Sequence, residues 1–278
     1  MLRRIFFIST LSLVAFSCNR KGCTDVDALN YSEKAKKDDG SCIYPEGSVI
    51  TLNFSHVFDA GAVNSSLFDD LIYANEQGNV LSITKLIYHI SDLRFYKANG
   101  DSVMTDTYHY VDLSSTSSLS QHVAEKIPFD TYHAIGFNIG FTQDDNVSGA
   151  YSDLNALNWN WPESLGGGYH HLQLEGRFIE TSTDTTIYAY HAGSTVREIT
   201  VTDTIFHENH IWVKIPVTPF DLSKDATISL EMNVAEWFKN PTSWDLNLMG
   251  NSLMGDYNAQ VLMRANGADV FSVTAIAQ

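Results

Sequence analysis

The chain has 278 residues, 44% hydrophobic and 18% charged, enough for one sizeable core or for one core plus a small module. Its formal net charge is −16, from 33 acidic against 17 basic side chains. Such a surface repels phosphate backbones, so nucleic acid is not an expected partner; acidity suits cation binding, and solubility alone also explains it.

The first element is a leader. Met1-Leu2-Arg3-Arg4 is a positive start, residues 5–16 are apolar and too few to span a bilayer comfortably, and Ser17 is a small residue just before Cys18. Residues 1–17 therefore read as an export signal. Ala15-Phe16-Ser17-Cys18 resembles a bacterial lipobox, with Phe16 bulkier than the usual occupant of its position. The resemblance implies that Cys18 is lipidated and that the chain sits on a membrane in the cell envelope, in the outer membrane, facing the periplasm or the outside. The alternative is cleavage nearby by a general signal peptidase, which leaves Cys18 an odd thiol.

Residues 18–47 form the next unit. Cys23 and Cys42 are an even pair in an oxidising compartment and read as a disulfide. Closing a loop of that size stabilises a coreless segment by roughly 3 kcal/mol in the chain-entropy model. Residues 22–44 resemble a small repeat of exported Bacteroidetes-type proteins, GCTDxxAxNYxxxAxxDDGSCxY. Asp25, Asp27, Asp38 and Asp39 are hard oxygen donors suited to calcium, or equally caps for the turns of a knotted loop.

From residue 48 to 278 the pattern changes to short alternating runs rich in Ile, Val, Thr, Tyr and Phe. Strands are predicted at 49–58, 82–96, 107–113, 132–141, 169–180, 185–191, 195–206, 210–217 and 226–234. Turn signals such as Asn99-Gly100-Asp101 separate them. Short helices are predicted at 66–73, 235–239 and 257–265. The fold class is all-β: an antiparallel sandwich or irregular barrel with long loops and a few short helices.

Several segments in order resemble the MbnP-like family, periplasmic proteins linked to copper handling and methanobactin. They are Leu52-Asn53-Phe54-Ser55-His56; Leu86-Ile87-Tyr88-His89-Ile90-Ser91-Asp92-Leu93-Arg94; and Ile135-Gly136-Phe137-Asn138-Ile139-Gly140. Next come Leu157-Asn158-Trp159-Asn160-Trp161 with Gly168-Tyr169-His170-His171-Leu172-Gln173-Leu174-Glu175-Gly176, then Tyr190-His191-Ala192-Gly193. A tail from Asp256 to Phe271 completes the set, which covers roughly residues 48–274. The sequence departs from the family pattern at Leu157, where methionine is usual, in an insertion at 162–167, and in having no cysteine in this domain.

The resemblance implies copper held by histidines, non-enzymatically, for acquisition, storage or delivery. It also implies a dihaem peroxidase-like partner that oxidises a tryptophan to kynurenine. The candidate ligands are His191, His56, His89, His170, His171, His207 and His210. Neutral imidazole suits copper, although each of these histidines has a plain alternative as a buried or turn residue. Adjacent His170 and His171 must face opposite sides of a strand. Trp159 and Trp161 are either loop anchors or the metal-adjacent pair, one of them the site of modification. No G-x-S-x-G elbow, H-E-x-x-H helix or phosphate loop is present, so no enzyme is expected. The competing reading is a surface adhesion or interaction module that keeps the β fold without metal.

Overall fold

The computed structural model describes residues 20–26, 28, 30–43, 47–180, 184–200 and 202–278. Cys18 and Asp27 lie outside the described residues. The chain divides into two compact units, residues 1–46 and 47–278.

In the first unit the Cys23–Cys42 disulfide closes the loop. Asn30 ties its two ends, donating from Nδ2 to the Ser41 carbonyl at 2.5 Å and accepting from Ile43 N–H at 2.7 Å. Asp38 Oδ1 accepts from Gly40 N–H at 2.9 Å and Asp39 Oδ1 from Ser41 N–H at 3.1 Å, so both carboxylates cap turns of their own backbone.

The second unit is mostly β. Its principal strands are β1 (Ile50–Phe58), β2 (Lys85–Lys97), β3 (Tyr108–Asp112), β4 (Asp130–Ile139), β5 (Leu172–Ile179), β6 (Thr185–Ala192), β7 (Thr195–Ile199), β8 (Thr204–His207), β9 (Ile211–Leu222), β10 (Ala226–Asn233) and β11 (Phe271–Ala277). Two helices join them, α1 (Ser152–Ala156) and α2 (Tyr257–Asn266). The large sheet runs β9-β4-β2-β5, with β6 added on β5 and β3 on β2, and curls into a half-barrel. The second sheet runs β11-β10-β1, and β7 with β8 makes a separate hairpin. The core between the sheets follows from period two: Ile50, Leu52, Phe54, His56 and Phe58 are all buried on β1, and Phe54 and Phe271 of this sheet both meet Tyr88 of the other.

Three local expectations change. Residues 66–73 form no helix. A single 3-10 turn, Ser65–Leu67, ends in an extended residue, and Asp69 adopts φ +70° with its N–H on the Ile83 carbonyl. The predicted strand 195–206 is the β7–β8 hairpin, turned where Thr200 N–H donates to the Asp203 carbonyl at 2.8 Å. Finally, β10 pairs with β1 in parallel, Ala226 opposite Ile50 through Asn233 opposite Val57, although the other pairs between the principal strands are antiparallel. A parallel neighbour needs a long crossover, and here the large sheet itself supplies that connection.

Candidate metal centre

Four of the seven candidate histidines meet around Trp159 and Trp161. The segment that carries them leaves α1 and runs back along itself. Trp161 N–H donates to the Gly168 carbonyl at 2.9 Å and His170 N–H to the Trp159 carbonyl at 3.0 Å. His171 N–H then bonds the Ala192 carbonyl at 2.8 Å, joining the run to the end of β6. On β6, His191 lies opposite Gln173 of β5. The two adjacent histidines face opposite ways. His170 packs on Trp161 and His191, with centroids at 4.9 and 5.4 Å, whereas His171 faces His89 of β2 at 6.2 Å.

Trp159, buried at 1% exposure, joins the two sides. Its indole N–H donates to His89 Nδ1 at 3.1 Å, and its carbonyl also accepts from His170 Nδ1 at 3.1 Å. Its ring lies 5.1 Å from those of His170 and Tyr110. Trp161 donates to the Ser194 carbonyl at 2.8 Å. Gly193 lets that ring lie across the strand end, because a Cβ there would come 2.5 Å from the indole.

Hydrogen-bond logic sorts these histidines. A carbonyl only accepts, so His170 carries its proton on Nδ1 and keeps the Nε2 lone pair. His191 Nε2 lies 2.8 Å from Glu175 Oε1, which also takes Lys85 Nζ at 2.7 Å. Burial pushes the Glu175 carboxyl up, but its bonds from Lys85 and His191 outweigh that and hold it below the usual range. Glu175 is therefore an ionised acceptor, His191 donates from Nε2, and Nδ1 keeps the lone pair. Burial brings His170 down to about 4, opposed by its bond to the Trp159 carbonyl and helped by His191, so its ring is neutral at neutral pH. These are the second-neighbour bonds that orient a metal-binding histidine.

His89 is set the other way. An indole N–H only donates, so Nδ1 of His89 accepts and its own proton sits on Nε2, a buried atom without a partner. Burial brings this imidazole down to about 3. Both nitrogens of fully buried His171 also lack partners; burial, then neighbouring His89 and His210, depresses it well below its ordinary value.

The other three candidates make no ring contact with this group among the described residues. His56 sits in the main core with Nε2 3.1 Å from Tyr88 Oη, and burial brings it down to about 4. His207 packs on Tyr257 at 5.7 Å. His210 takes Arg264 Nε on its carbonyl at 2.9 Å, lies near enough to His171 to lower it, and lines a separate cleft. Among the described residues, no group of three or more His, Cys, Asp or Glu side chains is arranged to hold a metal ion. His170 and His191 are the two of these imidazoles whose rings touch with one nitrogen each clear of a hydrogen bond, and two imidazoles fall short of the four ligands of a tetrahedral zinc site.

Sequence reasoning did not find the supporting residues. Glu175 lies 16 positions before His191, and only the β5–β6 register brings it into reach. Gln260 of α2 is equally remote: its Nε2 donates to the His191 carbonyl at 2.8 Å, and its Oε1 holds Asn209 at 3.0 Å. Nothing local marks Gln260, and Glu175 is marked only as part of the run at residues 172–176, with no pointer to His191.

The MbnP family model matches residues 47–255, about three quarters of the chain. The chain belongs to the MbnP family. The match includes every histidine and tryptophan of the candidate centre, and it stops short of the tail from Asp256 to Phe271 that the sequence resemblance had included. The fold of this MbnP-family chain is also similar to the structure of MbnP from Methylosinus trichosporium, at 14% identity and a TM-score of 0.49, covering 84% of this chain and 99% of that one. No curated protein matches the chain.

Proposed function

We propose that this MbnP-family chain is a non-enzymatic copper carrier of the cell envelope, tethered by lipid at Cys18, with His170 Nε2 and His191 Nδ1 as the metal-binding atoms. One observation carries the reading: the two rings, 5.4 Å apart, are locked by the Trp159 carbonyl and the Glu175 carboxylate in the tautomers that leave one lone pair each. Bound copper would supply a soft, redox-active cation at a site half-sheltered by Trp161. Burial holds the His170 imidazole neutral, so loading displaces no proton from it. The absence of cysteine in this unit leaves nitrogen as the donor.

Of the two tryptophans, Trp159 is the one suited to oxidative modification. Its N–H is held by His89 Nδ1 and its ring also packs on His170, whereas the N–H of Trp161 is held by a main-chain carbonyl. Peptide mapping of protein from its native source checks this, and an unmodified Trp159 peptide counts against it.

The metal test is anaerobic Cu(I) competition with a chromophoric chelator on the purified chain. His191→Ala and His170→Ala should each weaken binding by about 100-fold or more, with the fold retained. His56→Ala should leave affinity unchanged, because that ring serves the core. Copper lost on dialysis of the wild-type protein would favour the interaction-module reading instead.

A further inference from the structure

Two of the sequence segments singled out above, 86–94 and 135–140, contribute little to the histidine pair, yet they build a second feature. A cleft of about 470 Å³ lies over β2, β4 and β9. It is lined by Asp92 and Arg94 of β2, Asn138 of β4 and Trp212 of β9, with His210 and Asp145 at its rim. That volume falls within the roughly 300–1,000 Å³ of small-molecule sites.

Several independent departures from regular sheet coincide here. The β2–β4 pairing shifts register between Gly136 and Asn138. Asp92 adopts φ +55°, and its Oδ2 is fixed by Asn138 Nδ2 at 2.7 Å and Ser91 Oγ at 3.1 Å. Gly136 lets the Trp212 ring of the lining pack against the β4 backbone, since a Cβ there would lie 2.8 Å from that ring. Bulges and left-handed non-glycine residues re-aim side chains and gather at binding sites.

The cleft also holds charges that find no mate. The Arg94 guanidinium stacks over the Trp212 ring at 5.4 Å and bonds Met104 Sδ at 2.8 Å, but its buried Nε–H has no acceptor. His210 Nδ1 is likewise buried and unpartnered. Among the described residues, Arg94, Asp92 and Asp145 enter no ion pair with one another or with any other side chain. A buried donor left unmade costs about 1–3 kcal/mol, which a ligand acceptor would recover.

We propose that this cleft binds an α-amino acid with an aromatic or large apolar side chain. The ligand carboxylate meets Arg94 at Nε and His210, where a planar guanidinium can make paired bonds. The ligand ammonium meets the carboxylates of Asp92 and Asp145. Its side chain lies on Trp212 and Met104. A dipolar ligand is the class that satisfies one cation and two anions sharing one pocket. A simple anion would face two carboxylates, and a simple cation would face the guanidinium.

Calorimetry on the metal-free full chain tests this, with L-phenylalanine as probe beside N-acetyl-L-phenylalanine and L-phenylalaninamide. L-phenylalanine should bind saturably. Each analogue lacks one charge and should bind at least ~10-fold more weakly, as should L-phenylalanine to Arg94→Gln. Asp145 is exposed, so Asp145→Asn serves should the arginine variant fail to fold, with a several-fold loss expected. No saturable binding to the folded wild-type chain would overturn the proposal. So would equal binding of either analogue, which would reduce the cleft to a plain carboxylate or amine site.

Discussion

On either side of Trp159 lie two histidine pairs with opposite chemistry. The outer pair, His170 and His191, has its protons fixed on acceptors and its lone pairs unspent. The inner pair, His89 and His171, is fully buried, and three of its four nitrogens lack partners. Burial depresses His170, His89 and His171 alike, yet only the outer pair is proposed to take a metal. Proximity of imidazoles does not by itself make a ligand set: the atom opposite the far nitrogen decides whether the near one offers a lone pair or a proton.

The largest expected effect is acid sensitivity of the metal-free protein, because it sums over the inner pair, His170 and His56 of the core. Burial sets the folded pKa values of His56, His89 and His170 at about 4, 3 and 4, and holds His171 well down. In the unfolded chain each takes a proton near 6.5. Below that pH the unfolded state binds more protons than the folded one. Stability is therefore full above pH 6.5 and is lost as pH falls toward the folded values, by up to about 1.4 kcal/mol per pH unit per group. Denaturant unfolding should register a loss approaching roughly 10 kcal/mol between pH 7 and 4.5, enough to unfold a domain of ordinary stability. A flat profile would mean the inner pair is hydrated, and the contrast between the pairs would fail.

Trp159→Ala comes next. It removes a fully buried ring that both pairs lean on, so stability should fall by about 3–5 kcal/mol in chemical denaturation. Copper affinity should fall with it. Loss of affinity without loss of stability would place Trp159 in the outer pair alone.

Glu175→Gln gives the smallest and sharpest effect. The amide can still bond His191, but it no longer fixes which nitrogen carries the proton. Copper affinity should drop about 10–100-fold while the thermal midpoint stays close to that of the parent, because Glu175 is a partly exposed side chain at the sheet face. Unchanged copper affinity would remove the carboxylate from the argument and, with it, the distinction between the pairs.

Much of the fold was legible because burial alternates between near neighbours in the chain. Strands at 50–58, 185–192 and 226–233 announce themselves by period two. The Cys23–Cys42 pairing was legible for a different reason: only one pairing was open once Cys18 was assigned elsewhere. The helix expected at 66–73 was misread because nothing local reveals that Asp69 turns left-handed to reach Ile83. The sequence determined that the second unit has no thiol to offer a metal, that His170 and His171 look opposite ways, and that Trp159 and Trp161 accompany them. Tertiary structure alone decided that His191 joins His170, that His56 belongs to Tyr88 and the core, and that Glu175 and the Trp159 carbonyl choose the tautomers. The reason is one of range: alternation is a property of adjacent residues, whereas these partners lie 11 to 32 positions apart and meet only when strands settle into register.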